Sequence, residues 1–157
     1  MRWLWLFACL VAAAPVLAAD WMRLPIRAED QYFYDRSKLV IQGEEITYWK
    51  KVVFRQPPLV KGQAAAWALM RERIHCGQHT LRLISYVYYA SDGTMLDYMP
   101  EAEKEATPII PDTLGDAFER HLCVLVTRSR EEDAARKKEQ DEPRTREREA
   151  QPLELTP

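Results

Sequence analysis

The sequence has few of the residues that usually carry out catalysis or bind cofactors. Its 157 residues include only five glycines, three cysteines and three histidines. It contains no glycine-rich phosphate loop, no Gly-x-Ser-x-Gly nucleophile motif and no His-Glu-x-x-His metal motif. The formal net charge of -2 argues against a nucleic-acid partner, since binding phosphates requires a surplus of basic side chains. We therefore expect a non-enzymatic protein with no catalytic residues, no cofactor and no bound metal.

The N-terminus carries the features of a secretory signal peptide. Arg2 supplies a positive charge, residues 3–16 form an apolar run, and Val16-Leu17-Ala18 is a small-residue cleavage pattern. The run is shorter than the roughly 20 residues that span a bilayer, and no polybasic stop-transfer segment follows it. We therefore assign residues 1–19 to a signal peptide and predict an exported protein with no stable membrane span after cleavage.

Removal of the signal peptide takes Cys9 away and leaves Cys76 and Cys123 in the exported chain. Two thiols in an oxidising compartment usually pair. The bond closes a long loop, and chain entropy then stabilises the fold by at most roughly 4 kcal/mol. A redox site is the other interpretation, but it requires two cysteines that are close in sequence at the start of a helix. We therefore predict a structural disulfide between Cys76 and Cys123.

Composition divides the exported chain into a folded domain and a charged tail. Residues 128–150 contain eight acidic and eight basic side chains and almost no bulky apolar residue, so they cannot bury a core. Charged residues at helical spacing allow a helix before Pro143, but that proline and Pro152 interrupt it. We predict one folded domain over residues 20–127 and a solvated, disordered tail over residues 128–157.

Strand patterns dominate the folded domain up to Tyr98. Gly43 and Gly93 mark two hairpin turns between β-branched and aromatic runs. Residues 64–76 are ambiguous, because their composition favours helix, whereas the alternation of apolar and charged side chains, with Glu72 as the exception, favours a strand. We predict a strand there. The other predicted strands are 21–26, 32–34, 39–41, 46–54, 80–90 and 95–98, and in 80–90 one face is predicted to carry Leu81, Leu83, Val87 and Tyr89.

A helix is predicted to follow the strands. Thr113 and Asp116 form a capping-box pattern, which typically opens a helix. The residues that share its apolar stripe are Leu114, Ala117, Phe118, His121 and Leu122. The predicted fold is therefore α+β: an antiparallel sheet of about five or six strands packs against one C-terminal helix, and the Cys76–Cys123 disulfide connects the two.

Several short motifs also follow one another in a moderately specific order. They are Trp21, Tyr34-Asp35-Arg36-Ser37, Gly43 before Thr47-Tyr48-Trp49, Cys76, Tyr88-Tyr89 before Asp92-Gly93, and Ile110-Pro111-Asp112-Thr113 before Cys123. In this order they resemble the surface-adhesin protein E-like domains of exported Gram-negative bacterial proteins. The resemblance covers nearly the whole folded domain. It implies an antiparallel α+β fold, a strand before Cys76 and the same disulfide.

The resemblance also implies a function, since the namesake of that family is a lipid-anchored adhesin that binds host matrix and serum proteins. This chain differs from the namesake in two ways. Residues 6–9 (LFAC) do not form a credible lipobox, and the charged tail lies outside the domain pattern. We therefore expect an exported binding domain of the Gram-negative cell envelope, at the surface or in the periplasm, whose partner is a protein that the sequence does not identify.

Aromatic residues are more numerous than a small sheet must bury. Since one face of such a sheet is often solvated, we predict that Arg82, Tyr86 and Tyr88 lie together on the face opposite the helix. There they would form an amphipathic surface suited to a protein partner or to self-association as a homodimer.

The alternative is a periplasmic metal-binding protein or enzyme. The spacing of His75, Cys76 and His79 would allow two imidazoles and a thiolate to approach one metal ion, with His121 as a fourth ligand. This arrangement requires a reduced Cys76, which the predicted disulfide excludes. A pocket that joins the three histidines would favour this alternative over a binding domain.

Overall fold

The computed structural model describes residues 18–101 and 105–150, and residues 141–150 only in their backbone. Most of the predicted signal peptide, residues 1–17, and the last part of the predicted tail, residues 151–157, lie outside this range. The strands are β1 Trp21–Arg23, β2 Gln31–Asp35, β3 Val40–Gln42, β4 Glu45–Val53, β5 Leu59–Val60, β6 Gln63–Ala64, β7 Trp67–His75, β8 Thr80–Tyr89, β9 Met95–Met99 and β10 Thr107–Pro108. A short 3-10 helix spans Arg36–Lys38, and helix α1 spans Leu114–Ala150.

Eight strands form one antiparallel sheet in the order β1-β2-β4-β7-β8-β10, with β3 beside β4 and β9 beside β8. Strands β5 and β6 form a separate hairpin. The predicted antiparallel α+β fold is therefore confirmed. The sheet has more strands than the expected five or six because short strands share an edge: β2 and β3 both pair with β4, and β9 and β10 both pair with β8.

The ambiguous segment forms strand β7, as predicted. It pairs with β4 along one edge, from Trp67 opposite Val53 to His75 opposite Glu45, and with β8 along the other edge. Ladders on both edges satisfy its backbone groups, so the tertiary context outweighs the helix propensity of its composition.

A β-bulge at Ile84 interrupts the alternation of side chains in β8. Leu83 lies opposite Glu72 and Ser85 lies opposite Arg71, so Ile84 has no partner in the ladder. One extra residue moves all later side chains to the other face of the sheet. The prediction that Leu81 and Leu83 share a face with Val87 and Tyr89 is therefore wrong.

The core lies between the sheet and the first four turns of α1. Its fully buried side chains include Ile46 and Ile74 from the sheet and Leu122 from the helix. The rings of Tyr48 and Phe118 stack across this layer, with centroids 5.3 Å apart. The face of the sheet that packs against α1 is called the helix-side face below, and the other is called the helix-free face.

The disulfide and the helix start follow the prediction. Cys76, just after β7, and Cys123 in α1 are joined with an S–S distance of 2.03 Å. At the N-terminus of α1, the hydroxyl of Thr113 accepts a hydrogen bond from the backbone N–H of Asp116 (3.4 Å), whose carboxylate accepts one from the N–H of Asp112 (2.9 Å). These bonds satisfy N–H groups that have no partner within the helix.

Beyond the core the helix enters the predicted tail. Residues 131–140 are all exposed, so this segment is solvated as predicted. The ion pair between Arg130 and Glu44, 2.8 Å long, links the helix to the loop between β3 and β4. The backbone stays helical through Pro143, where the sequence predicts an interruption, up to Ala150.

Candidate binding surfaces

The structure separates the three residues that the sequence places on one binding surface. Arg82 lies opposite Arg73, on the helix-free face. Tyr86 lies opposite Met70 and Tyr88 opposite Ala68, and both tyrosines are on the helix-side face. The bulge at Ile84 causes this separation, because it stands between Arg82 and the tyrosines. The prediction that all three share the face opposite the helix is therefore wrong for Tyr86 and Tyr88.

Tyr86 and Tyr88 belong to a cluster that we call the tyrosine patch, made of Phe54, Lys61, Tyr86, Tyr88 and Asp97. The rings of Tyr86 and Tyr88 meet edge to face, with centroids 5.4 Å apart. Phe54 stacks on Tyr88 with centroids 6.2 Å apart. All three aromatic rings are half-buried, so each keeps part of its surface accessible.

Polar groups fix the orientation of the Tyr86 ring. The hydroxyl of Tyr86 donates a hydrogen bond to Oδ2 of Asp97 (3.2 Å), and Nζ of Lys61 lies 2.7 Å from Oδ1 of the same carboxylate. The hydrogen bond from Lys61 lowers the pKa of Asp97. Burial, followed by the neighbouring Asp97, raises the pKa of both tyrosines. The patch therefore combines neutral tyrosines with an ionised carboxylate across the physiological pH range.

The tyrosine patch lies beyond the part of the sheet where α1 packs. Tyr48, which stacks on the helix, is opposite Glu72. Two residues further along β4 and β7, Lys50 is opposite Met70, which in turn is opposite Tyr86. The patch is therefore the continuation of the helix-side face past the core.

The helix-free face carries a second set of aromatic rings around Lys51. Its ammonium group lies 5.3 Å from the ring centroid of Trp67 and 5.8 Å from that of Trp21. These are cation–π distances. Tyr89 stacks on Trp67 with centroids 3.9 Å apart. The sequence alone predicts no binding surface at these residues, because only the strand register shows that they share a face.

The histidines of the metal-site alternative have separate partners. His75 accepts a hydrogen bond from the backbone N–H of Gln78 (3.2 Å), His79 contacts Glu119 (2.8 Å), and His121 contacts the hydroxyl of Tyr34 (3.2 Å). Cys76 is oxidised in the disulfide. Within residues 18–101 and 105–140, whose side chains are described, no group of three or more His, Cys, Asp or Glu side chains is arranged to hold a metal ion.

Open clefts lie between described residues on the surface of the domain. One, of about 480 Å³, lies beside Arg23, Glu29 and Phe54. Another, of about 290 Å³, lies between Tyr32 and the N-terminal turns of α1. Neither is lined by a histidine or a cysteine, so they do not bring the metal-site candidates together.

The fold is similar to that of Haemophilus influenzae protein E. Crystal form II of that protein aligns with a TM-score of 0.56 and 14% sequence identity, covering 73% of this chain and 97% of the other. Protein E from non-typeable Haemophilus influenzae aligns with a TM-score of 0.52 and 15% identity, covering 71% and 82% of the two chains. At these identities the likeness concerns the fold. Comparison with curated protein sequences gives no match.

A sequence model of a protein family matches most of the folded domain. The model described as Surface-adhesin protein E matches residues 21–124, which extend from the first strand to just past the second cysteine of the disulfide. The match confirms the predicted export to the Gram-negative cell envelope and supports an adhesin-like binding protein. Within the part of the chain that the structure describes, no helix is both long and apolar enough to cross a membrane. The chain belongs to the surface-adhesin protein E family.

Proposed function

We propose that this protein is a non-enzymatic binding domain that uses the tyrosine patch to bind a protein outside the cytosol. The observation that carries the proposal is the half-buried cluster of Phe54, Tyr86 and Tyr88 on the part of the sheet beyond the helix. Exposed aromatic clusters with a polar rim are typical of protein interfaces. Membership of an adhesin family supports a binding role over a catalytic one.

The chemistry of the patch suits a protein partner. Tyrosine combines a large apolar ring with a polar hydroxyl, and it is enriched among the residues that dominate binding energy. The hydrogen bond from Tyr86 to Asp97 holds its ring in place, so little side-chain freedom is lost on binding. The exposed Lys61 at the rim can steer a partner that carries negative charge.

The test measures binding to a panel of purified host serum and extracellular-matrix proteins. The double variant Tyr86→Ala with Tyr88→Ala should reduce binding to the partner at least tenfold, since aromatic hot spots contribute about 2 kcal/mol or more each. Tyr98→Ala is the matched control: Tyr98 is 56% exposed and lies opposite Val87 on the helix-free face. Lys61→Glu is a second probe that alters the rim without removing an aromatic ring.

Three results decide the proposal. Loss of binding in the double variant, with an unchanged melting temperature and normal binding by Tyr98→Ala, supports it. Equal binding by all variants refutes the assignment to the tyrosine patch. If the melting temperature of the double variant is much lower than that of the parent, the Lys61→Glu variant is used instead. An unchanged association rate of Lys61→Glu with the partner would then refute binding through the tyrosine patch.

Self-association and location are tested separately. Sedimentation of the purified protein measures whether it forms a homodimer, and the tyrosine variants show whether the patch carries that contact. Digestion by protease in intact cells would place the domain at the surface, where a host partner can reach it. Protection until the outer membrane is permeabilised would restrict the search to periplasmic partners.

A further inference from the structure

The helix-free face carries three clustered arginines, and among the described residues only one of them, Arg73, has an acidic partner. Arg71 and Arg73 occupy alternate positions in β7, and Arg82 in β8 lies directly opposite Arg73. Arg73 hydrogen-bonds to Thr47 (3.0 Å) and lies 3.4 Å from Glu45. Arg71 and Arg82 are exposed, and among the described residues neither has an ion-pair or side-chain hydrogen-bond partner.

The apposition of Arg73 and Arg82 costs stability, which the partly exposed Arg73–Glu45 pair offsets only weakly. Residues directly opposite each other on antiparallel strands have β-carbons about 5 Å apart, and like charges at such positions are destabilising. An anion placed over the guanidinium groups of Arg73 and Arg82 would remove the repulsion. Each guanidinium can bind an oxyanion through two parallel N–H bonds, which makes arginine the preferred residue for that contact.

The positive charge extends across the sheet. Arg23 in β1 and Lys51 in β4 point to the same face, and Arg23 is exposed. Four strand spacings separate β1 from β8, a width of about 19 Å at 4.8 Å each. Among the residues of this face that pair with a neighbouring strand, only Glu45 and the buried Asp35 are acidic. A positively charged surface of this width suits a polymer with repeated negative charges better than it suits one small anion.

Aromatic rings lie among these charges. Trp49 is opposite Arg71 in the ladder, and Trp67, stacked on Tyr89, lies beside Lys51. Sugar rings present flat C–H faces that pack on aromatic rings, and acidic sugars add carboxylate or sulfate groups at regular intervals along a chain. Export places the domain in compartments where such polysaccharides occur.

We propose that the helix-free face binds a linear anionic polysaccharide. Arg71, Arg73 and Arg82 bind its carboxylate or sulfate groups, and Trp49 and Trp67 pack against its sugar rings. This site lies on the opposite side of the sheet from the tyrosine patch. It therefore does not depend on the protein partner proposed above.

The test uses the processed chain, residues 20–157, with heparin as the linear sulfated polysaccharide and neutral dextran as the reference. Binding is measured by calorimetry at increasing sodium chloride concentration. The double variant Arg71→Gln with Arg82→Gln should bind heparin about tenfold more weakly and with a shallower salt dependence, because fewer counterions are displaced. Arg128→Gln with Arg136→Gln makes the same change in net charge on the exposed helix and should stay within about twofold of the parent.

A single substitution separates binding from stability. Arg82→Thr should weaken heparin binding while the melting temperature stays equal or rises, since the repulsion from Arg73 is removed. Losses of both affinity and melting temperature would overturn the assignment of Arg82 to a ligand site. Equal weakening by the helix variant, equal binding of dextran, absence of heparin binding at low salt, or tighter binding of duplex DNA, acidic vesicles or an acidic protein would overturn the polysaccharide proposal.

Discussion

Lys50 and Glu72 form an ion pair inside the layer between the sheet and helix α1, where their side chains are only 9% and 5% exposed. The other carboxylate oxygen of Glu72 accepts a hydrogen bond from the hydroxyl of Tyr48 (2.7 Å). Lys50 also lies 5.6 Å from the centroid of the Phe118 ring, at a cation–π distance. A buried charge pair of this kind depends on both partners, because removing one leaves the other charge buried without compensation.

Lys50→Met should therefore lower the free energy of unfolding by about 3 kcal/mol, as expected when one partner of a buried pair is removed. The double variant Lys50→Met with Glu72→Gln should recover part of that loss, since the amide keeps an acceptor for Tyr48 without leaving a charge. Urea denaturation measures both values. Arg36→Gln, which breaks an exposed pair with Asp20, is the control and should cost less than about 1 kcal/mol. Additive losses in the double variant would contradict this coupling.

Tyr48 predicts how stability responds to alkaline pH. Its burial, followed by the nearby charge of Glu72, raises its pKa well above the ordinary value of 10.0. The folded state thus keeps the Tyr48 proton at pH values where the unfolded state releases it. The stability that results is complete below pH 10 and declines as the pH rises toward the folded-state pKa.

Urea midpoints at pH 8 and at pH 11 test this dependence. Tyr48→Phe should reduce the loss of stability between the two, whereas Tyr98→Phe, at an exposed position, should leave it unchanged. A pH dependence that is the same in Tyr48→Phe as in the parent would contradict the role of Tyr48. Part of the dependence should remain, because the pKa values of Tyr32, Tyr86 and Tyr88 are also raised.

The disulfide should account for a large share of the stability of the domain. Cys76 and Cys123 are separated by 47 residues, and closing a loop of that length in the unfolded chain contributes up to about 4 kcal/mol. We expect Cys76→Ser with Cys123→Ser to lower the free energy of unfolding by about 2–4 kcal/mol, measured in urea. Reducing agent should destabilise the parent by a similar amount and leave the double variant unaffected. If reducing agent destabilises both proteins equally, the disulfide is not the source of the stability that the parent loses.

The outer part of α1 should contribute little to that stability. Residues 131–140 are exposed, whereas Phe118 is 1% exposed in the core. Truncation after Arg130 should change the free energy of unfolding by less than about 0.5 kcal/mol, while Phe118→Ala should cost about 3–5 kcal/mol. Amide hydrogen exchange should be fast in residues 131–140 and slow around Phe118. Slow exchange throughout the helix would argue that the outer segment is held by contacts of its own.

Local sequence signals predicted much of the fold. The turn at Gly43, the helix start at Thr113 and the Cys76–Cys123 disulfide all follow from short patterns or from cysteine number, and the structure confirms each of them. Glu72, the exception in the alternation of β7, keeps its place on the helix-side face because Lys50 and Tyr48 compensate its charge and hydrogen-bonding groups.

The surfaces were less predictable, for a physical reason. The bulge at Ile84 leaves no mark in composition, because Leu83, Ile84 and Ser85 suit a strand with or without an extra residue. Its position depends on the pairing with β7, which is a tertiary property. Without the bulge, simple alternation places Arg82 and Tyr86 on one face. The apposition of Arg73 and Arg82 depends on the register between β7 and β8, which is also a tertiary property.

The bulge at Ile84 gives one strand two different proposed binding faces. Strand β8 presents Arg82 to one side of a single sheet and Tyr86 and Tyr88 to the other, within seven residues of chain. Two macromolecules that approach from opposite sides would be separated by the thickness of one sheet and would not compete for the same side chains. If both proposed sites are occupied, the domain would act as a two-sided adaptor that holds a protein on one side and a chemically different ligand on the other.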